Sequence, residues 1–209
     1  MEKKEEKVED SSRGRVRRLI IKVNEFDDIA DIAEIARRSF GTNTFDGILT
    51  MLGIMMGALA SGVSDARVVI TTGLSTSFAI MISGAWGAYL TETSERKKSL
   101  SELGRSTLTD LNGSRIGRAS RFAALAVSVV DGLSPFVGAI VVLVPFFFSA
   151  KFGDIRTVYY TSIGAALVAL FVLGVWLGHV AKENLVVYGF KTLLAGAVSI
   201  LIGSLLNSN

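Results

Sequence analysis

Two aspartates stand at the start of long apolar runs, and a glycine follows each. Asp46-Gly47 opens a run that reaches Gly53, and Asp131-Gly132 opens one that reaches Gly138, so both read D-G-x5-G. A carboxylate is a hard oxygen ligand of the kind divalent cations take. At the edge of a hydrocarbon layer it is costly enough that it usually has a function or a partner. At about 100° per residue, Asp46, Thr50, Gly53, Gly57 and Ala60 fall on one helical stripe. That stripe is polar at its start and small throughout, a face along which a hydrated or partly stripped cation could pass. Asp131 repeats the arrangement with Pro135 and Gly138, and Thr72, Thr76, Ser83 and Gly87 form a similar stripe in the run between them. Glu92 and Glu95, with Glu102 beyond, follow that run and could hand a hard divalent cation to its mouth. The metal-ligating candidates are therefore Asp46, Asp131, Glu92 and Glu95. The plainer reading is that both aspartates cap helices, where free N–H groups and the dipole favour Asp, and that the glutamates are a solvated helix end. The recurring glycine seven residues after each Asp favours the functional reading, because a cap does not require it.

Softer ligands are less persuasive. Met51 and Met55 face away from Asp46 by the same angular count, and with Met56 and Met81 the thioethers read as packing or lipid-facing rather than ligating, since Met fills irregular apolar gaps. His179, the single histidine, ends an apolar run where an interfacial side chain is expected. Lys191 lies two turns inside the last run and can snorkel to the surface, or pair with Asp46 or Asp131. There is no nucleophile–base pair, phosphate loop or zinc spacing, so nothing supports an enzyme.

The elements that must hold these residues are legible from where charge is missing. Half of the 209 residues are apolar and a fifth are charged, but no charged residue occurs in 47–64, 68–91, 132–150 or 157–181, and 185–206 carries only Lys191. A helix needs about 20 apolar residues to cross roughly 30 Å of hydrocarbon, and a lone span in lipid must be helical to satisfy its own backbone. Five transmembrane helices are predicted, at about 45–62, 68–90, 122–148, 158–179 and 185–206, the third long and bent by Pro135 and Pro145. This distribution excludes an ordinary soluble enzyme, a disordered chain and a nucleic-acid-binding domain, despite a net charge of +3. The absence of cysteine excludes disulfides and thiolate metal sites. Residues 1–18 are charged and polar, so no cleavable signal peptide is expected, and the first span must direct insertion. Asn24 can cap an amphipathic helix over about 25–38, with Phe26, Ile29, Ala33, Ala36 and Phe40 on one face and Asp27, Asp31 and Glu34 on another. The organisation is thus a tail, 1–44, a five-span domain, 45–209, and a loop, 91–121. Lys and Arg number ten in 1–44, seven in 91–121 and one in 180–184, against one in 63–67 and two in 149–157. The positive-inside rule places the N-terminus in the cytoplasm and the C-terminus outside.

The first two spans and the next two repeat one another. Each pair opens on D-G-x5-G, and each closes on G-x-W: Gly84-Ala85-Trp86 and Gly174-Val175-Trp176, which hold the only tryptophans. The two hairpins run in the same direction, and parallel repeats of this kind occur in transporters, with the site at the repeat interface. The expected fold class is an all-α integral membrane protein built of two tandem parallel hairpins and a fifth helix.

At these residues the chain resembles a known family. Asn43-Thr44-Phe45-Asp46-Gly47-Ile48-Leu49-Thr50-Met51-Leu52-Gly53 is similar to the first span of the vacuolar iron transporters. Gly87-Ala88-Tyr89-Leu90 with Ser94-Glu95 resembles the end of that family's second span, and Gly138 to Phe147, with Pro145-Phe146, the end of its third. The resemblance covers about 40–209. It implies a proton-coupled exporter of Fe²⁺ or Mn²⁺ from the cytosol, working as a homodimer, with the metal as cargo and no other cofactor. It also implies that Asp46 lies on the metal path. The membrane would be the cell membrane in a prokaryote and a vacuolar-type membrane in a eukaryote. Two features depart from the family. The Glu and Met of its second span are held here by Thr76 and Gly84, with Met81 nearby, and its long Glu-rich cytoplasmic helices are cut down to 91–121, with Glu92, Glu95, Glu102 and Asp110. A non-transporting scaffold of the same fold, or a transporter of another small solute, are the alternative expectations.

Overall fold

The computed structural model describes residues 31–207, so the charged start and the cap expected at Asn24 lie outside the described residues. Five helices cover the five predicted spans: α1 Ile32–Ala60, α2 Ala66–Thr107, α3 Arg115–Phe147, α4 Ile155–Val180 and α5 Leu185–Asn207, with one 3-10 turn, Ser149–Lys151. All five are long and apolar enough to cross a membrane. Among the described residues there is no strand. Helix α1 starts earlier than the apolar run, because Ile32–Phe40 and the span share one uninterrupted helix. The residues between the predicted amphipathic helix and the first predicted span, Gly41-Thr42-Asn43-Thr44, are helical too, and Gly41 is a site of close packing. A Cβ there would lie 2.5 Å from a methyl of Leu177, and Phe40 meets the Trp176 ring edge-on, 5.8 Å between centroids.

Local signals bound the helices in a consistent way. Asp65, Asp154 and Asn184 each accept a backbone N–H at the start of α2, α4 and α5, satisfying donors that a helix leaves free. At the ends of α1, α2 and α4 the chain turns through a left-handed residue, Gly62 (φ 68°), Leu108 (φ 52°) and Lys182 (φ 56°). Each is followed by a residue whose N–H reaches back five positions to a helix carbonyl: Val63 to Ala58, Thr109 to Gly104 and Glu183 to Gly178, all at 3.0 Å.

The chain divides into two compact units, Met1–Ala36 with Ala88–Ser128, and Arg37–Gly87 with Val129–Asn209. In the first, the end of α2 carries an Arg96–Glu92 ion pair at 2.9 Å. Asp110 turns the chain by accepting from the Asn112 backbone and side chain at 3.0 and 2.9 Å, and Ser114 Oγ caps α3 by accepting from Gly117 N. In the second unit a continuous apolar core joins α1, α2, α3 and α4 through Ile48, Met51, Leu52, Met55, Val69, Val142, Leu143, Phe146, Tyr159 and Leu170. Tyr159 stacks edge-on against Phe146 at 5.0 Å and donates to the Val63 carbonyl at 3.0 Å, so its buried hydroxyl is satisfied. Helix α5 lies along α4, where Gly174 admits Thr192, and the Thr192 hydroxyl donates to the Leu170 carbonyl at 2.8 Å.

Candidate metal pathway

Helix α1 has two faces that differ in everything but secondary structure. Ile48, Met51, Leu52 and Met55 are all 2 % exposed or less, whereas Asp46, Thr50, Gly53 and Gly57 are exposed along one stripe. The angular spacing that placed those four on one stripe therefore coincides with the exposed side of α1. A Cβ at Gly53 or Gly57 would meet nothing within 4 Å. Ala60 is half-buried at the end of the stripe. There the stripe opens into a cavity of about 500 Å³ between α1 and α5, lined by Gly53, Gly57, Ala60, Ser61, Ser199 and Gly203 among others. Asp46 has no hydrogen-bond or ion-pair partner among the described residues. Helix α2 has a comparable exposed row in Thr72, Ser83 and Gly87, with Thr76 half-buried.

Met51 and Met55 are core, and Met81 is half-buried. Met51 and Met55 are 1 % and 0 % exposed, and the Met51 sulfur would be 3.0 Å from a Cβ at Gly73, so that glycine makes room for the thioether. Met56 packs against Gly203. His179 is exposed in the last turn of α4. Lys191 is exposed, with its ammonium 4.8 Å from the centre of the Tyr188 ring.

Asp131 stands differently from Asp46. It is half-buried, and its Oδ1 accepts a hydrogen bond from Asn43 Nδ2 at 3.1 Å. Pro135 and Gly138, expected beside it, lie in the contact of α3 with α1. A Cβ at Gly47 would fall inside the Pro135 carbonyl, and one at Gly138 would be 2.5 Å from the Thr44 carbonyl. Gly132 fits against the Met81 carbonyl and Ala85 of α2, and Gly84 against the Asp131 carbonyl. Gly84 stands where the resembling family has a larger side chain, and here it is occupied with helix packing. Glu92 and Glu95 belong to the other unit. Glu92 is paired with Arg96, and Glu95 is exposed. Among the described residues no three His, Cys, Asp or Glu side chains converge as a metal site. Asn43 is the residue that sequence reasoning missed. Its weak signal is register: it precedes Asp46 by one helical turn, as Ser128 precedes Asp131.

Comparison with known proteins fits this arrangement. Residues 40–109, which include Asp46 and its stripe, match the VIT family. A relative of uncharacterized function from Methanocaldococcus jannaschii is 34% identical over 160 residues, spanning 75% of this chain and 80% of the relative. The five membrane-crossing helices and these matches define a multi-pass integral membrane protein of a transporter class whose cargo is metal ions. The chain belongs to the VIT family.

Proposed function

We propose that the protein carries Fe²⁺ or Mn²⁺ out of the cytosol in exchange for protons, along the Asp46–Thr50–Gly53–Gly57 stripe of α1. The observation that carries this reading is the exposure of Asp46 on a helix whose opposite face is fully buried core. An uncovered carboxylate and hydroxyl in a membrane span are unfavourable against lipid, and small residues on the same stripe suit close approach of another helix. A second copy of the chain, packed through this face, would cover the stripe and give a cation two Asp46 carboxylates, so a homodimer is part of the proposal. The cation is cargo. Its oxygen ligands would be Asp46 and, at the second rank, Thr50. In the charged loop, Glu95 would meet the cation first, and Glu92 would have to exchange Arg96 for it. The excess of Lys and Arg in 1–44 and 91–121 supports a cytoplasmic position for the start of α1; export is the direction that the family resemblance implies.

The test is metal flux into proteoliposomes across a panel of divalent cations, with and without a pH gradient. The proposal expects Fe²⁺ or Mn²⁺ flux that the pH gradient accelerates and that Asp46→Asn abolishes while the protein stays folded. Undiminished flux in Asp46→Asn rejects the path, and absence of flux for every cation leaves the scaffold reading.

A further inference from the structure

The contact between Asn43 and Asp131 has a meaning that neither the repeat nor the family match assigns. Asp131 lies at one of the two places where a proline interrupts α3. Pro135, four residues on, has no N–H to return to the Asp131 carbonyl, so one rung of the helix is missing there. Nearby, Ser134 Oγ turns back onto the Val130 carbonyl, and Gly84 of α2 comes close to the Asp131 carbonyl. A helix with a missing rung owes its local orientation to what holds its sides. On the α1 side the backbones are in near contact at Gly47–Pro135 and at Gly138–Thr44, and Asn43 is bonded through its side chain to Asp131, 88 positions away. Asn43 sits three residues, just under one turn, before Asp46 on the same unbroken helix. Whatever fixes Asn43 also fixes the height and rotation of the Asp46 carboxylate.

We propose that Asp131 is a positioning residue rather than a metal ligand: its carboxylate latches α1 to the softened turn of α3 through Asn43 and thereby aims Asp46 into the path. The inference rests on the reading of the α1 stripe as that path. It accounts for why the two copies of the Asp-Gly pair differ in exposure. Asp131 is half-buried and bonded to Asn43, whereas Asp46 is open toward the path. The latch needs an acceptor oxygen at position 131 and a donor at 43. A metal ligand is indifferent to Asn43.

The experiment measures initial rates of Mn²⁺ uptake by proteoliposomes for Asp131→Asn, Asp131→Ala, Asn43→Ala and the double Ala variant, with Asp46→Asn as reference. An amide at 131 still accepts from Asn43, so Asp131→Asn should stay within about threefold of the parent protein, the difference between a charged and a neutral acceptor. Asp131→Ala and Asn43→Ala should each lower the maximal rate about tenfold with KM within about twofold, and the double variant should be no slower than either alone, as partners in one contact behave. If Asp131→Asn falls as far as Asp131→Ala, or if the two alanine effects multiply, the latch is wrong. If the parent protein moves no metal, the path reading has failed instead, and the same four variants are then compared by thermal unfolding. Losses in Tm that fail to add support the latch, and additive losses overturn it. Size-exclusion profiles identify any variant that does not fold, and Asn43→Ser, which keeps a donor, then replaces Asn43→Ala: partial activity supports the pairing and none contradicts it.

Discussion

The two Asp-Gly copies begin alike and end in different surroundings. In both, the glycine beside the aspartate lets a neighbouring helix approach to backbone distance: Gly47 against Pro135, Gly132 against the Met81 carbonyl and Ala85. The second glycine separates them. Gly138 is closed off by the Thr44 carbonyl and Ile48, while Gly53 faces open space. The aspartates follow suit, with Asp131 half-buried and bonded to Asn43, and Asp46 exposed. The shared motif is therefore a device for packing helices closely. The copy that α1 carries has one face left over, and that face is where a cation, or a second copy, can be met.

This contrast can be broken first through the glycines, where the effects are largest. Gly47→Ala and Gly132→Ala each force a methyl group onto a backbone carbonyl that cannot step aside. Each should destabilise the protein by about 1–3 kcal/mol, as overpacking does, seen as a drop in Tm in detergent. Gly53→Ala enters open space within a helix and should be neutral or stabilising, by up to about 1 kcal/mol. Equal losses at 47 and 53 would erase the distinction between the copies.

A large side chain at Gly53 sharpens the comparison further. Gly53→Leu should leave the folded monomer intact, because nothing lies within 4 Å of a Cβ there. It should nonetheless weaken dimer formation and lower flux about tenfold or more if a second helix must approach that stripe, a loss worth about 1.4 kcal/mol. Cross-linking in proteoliposomes reads the first effect and uptake the second. Unchanged flux and unchanged association would mean that the open face of α1 meets only lipid.

The smallest expected effect on transport comes from outside the pair and serves as its control. Leu108 closes α2 in the left-handed region, at φ 52°, and its side chain is 95% exposed. Leu108→Gly should stabilise the protein by up to about 1 kcal/mol by relieving that conformation, without altering flux. A change in transport here would give the charged hairpin a part that the stripe account lacks.

The fold was legible in the sequence to the extent that dehydration dictates it. A backbone in hydrocarbon must bond to itself, so each uncharged run became a helix, and the runs mark all five. The stripe at Asp46 was legible for a related reason: helical period alone decides which residues share a face, and α1 turned its core side to Met51 and Met55 as the count required. Two things were hidden. The continuity of α1 across 39–44 was hidden, because a glycine that ends a helix and one that admits Leu177 look the same in one dimension. The Asn43–Asp131 bond joins residues 88 positions apart, and no local pattern encodes a partner at that distance. The engagement of Glu92 with Arg96, in a different unit from Asp46 and Asp131, was likewise not legible from residue types alone.

The account turns on the two aspartates being unequal, and one paired measurement addresses it: Mn²⁺ and Fe²⁺ uptake by proteoliposomes bearing Asp46→Asn or Asp131→Asn, at matched protein density. The prediction is a loss of about thirtyfold or more for Asp46→Asn, the scale set by removing a charged ligand worth about 2 kcal/mol or more, with Asp131→Asn retaining at least about a third of the parent rate. Parent-like uptake by Asp46→Asn, or a collapse of Asp131→Asn to the same level as Asp46→Asn, would contradict it.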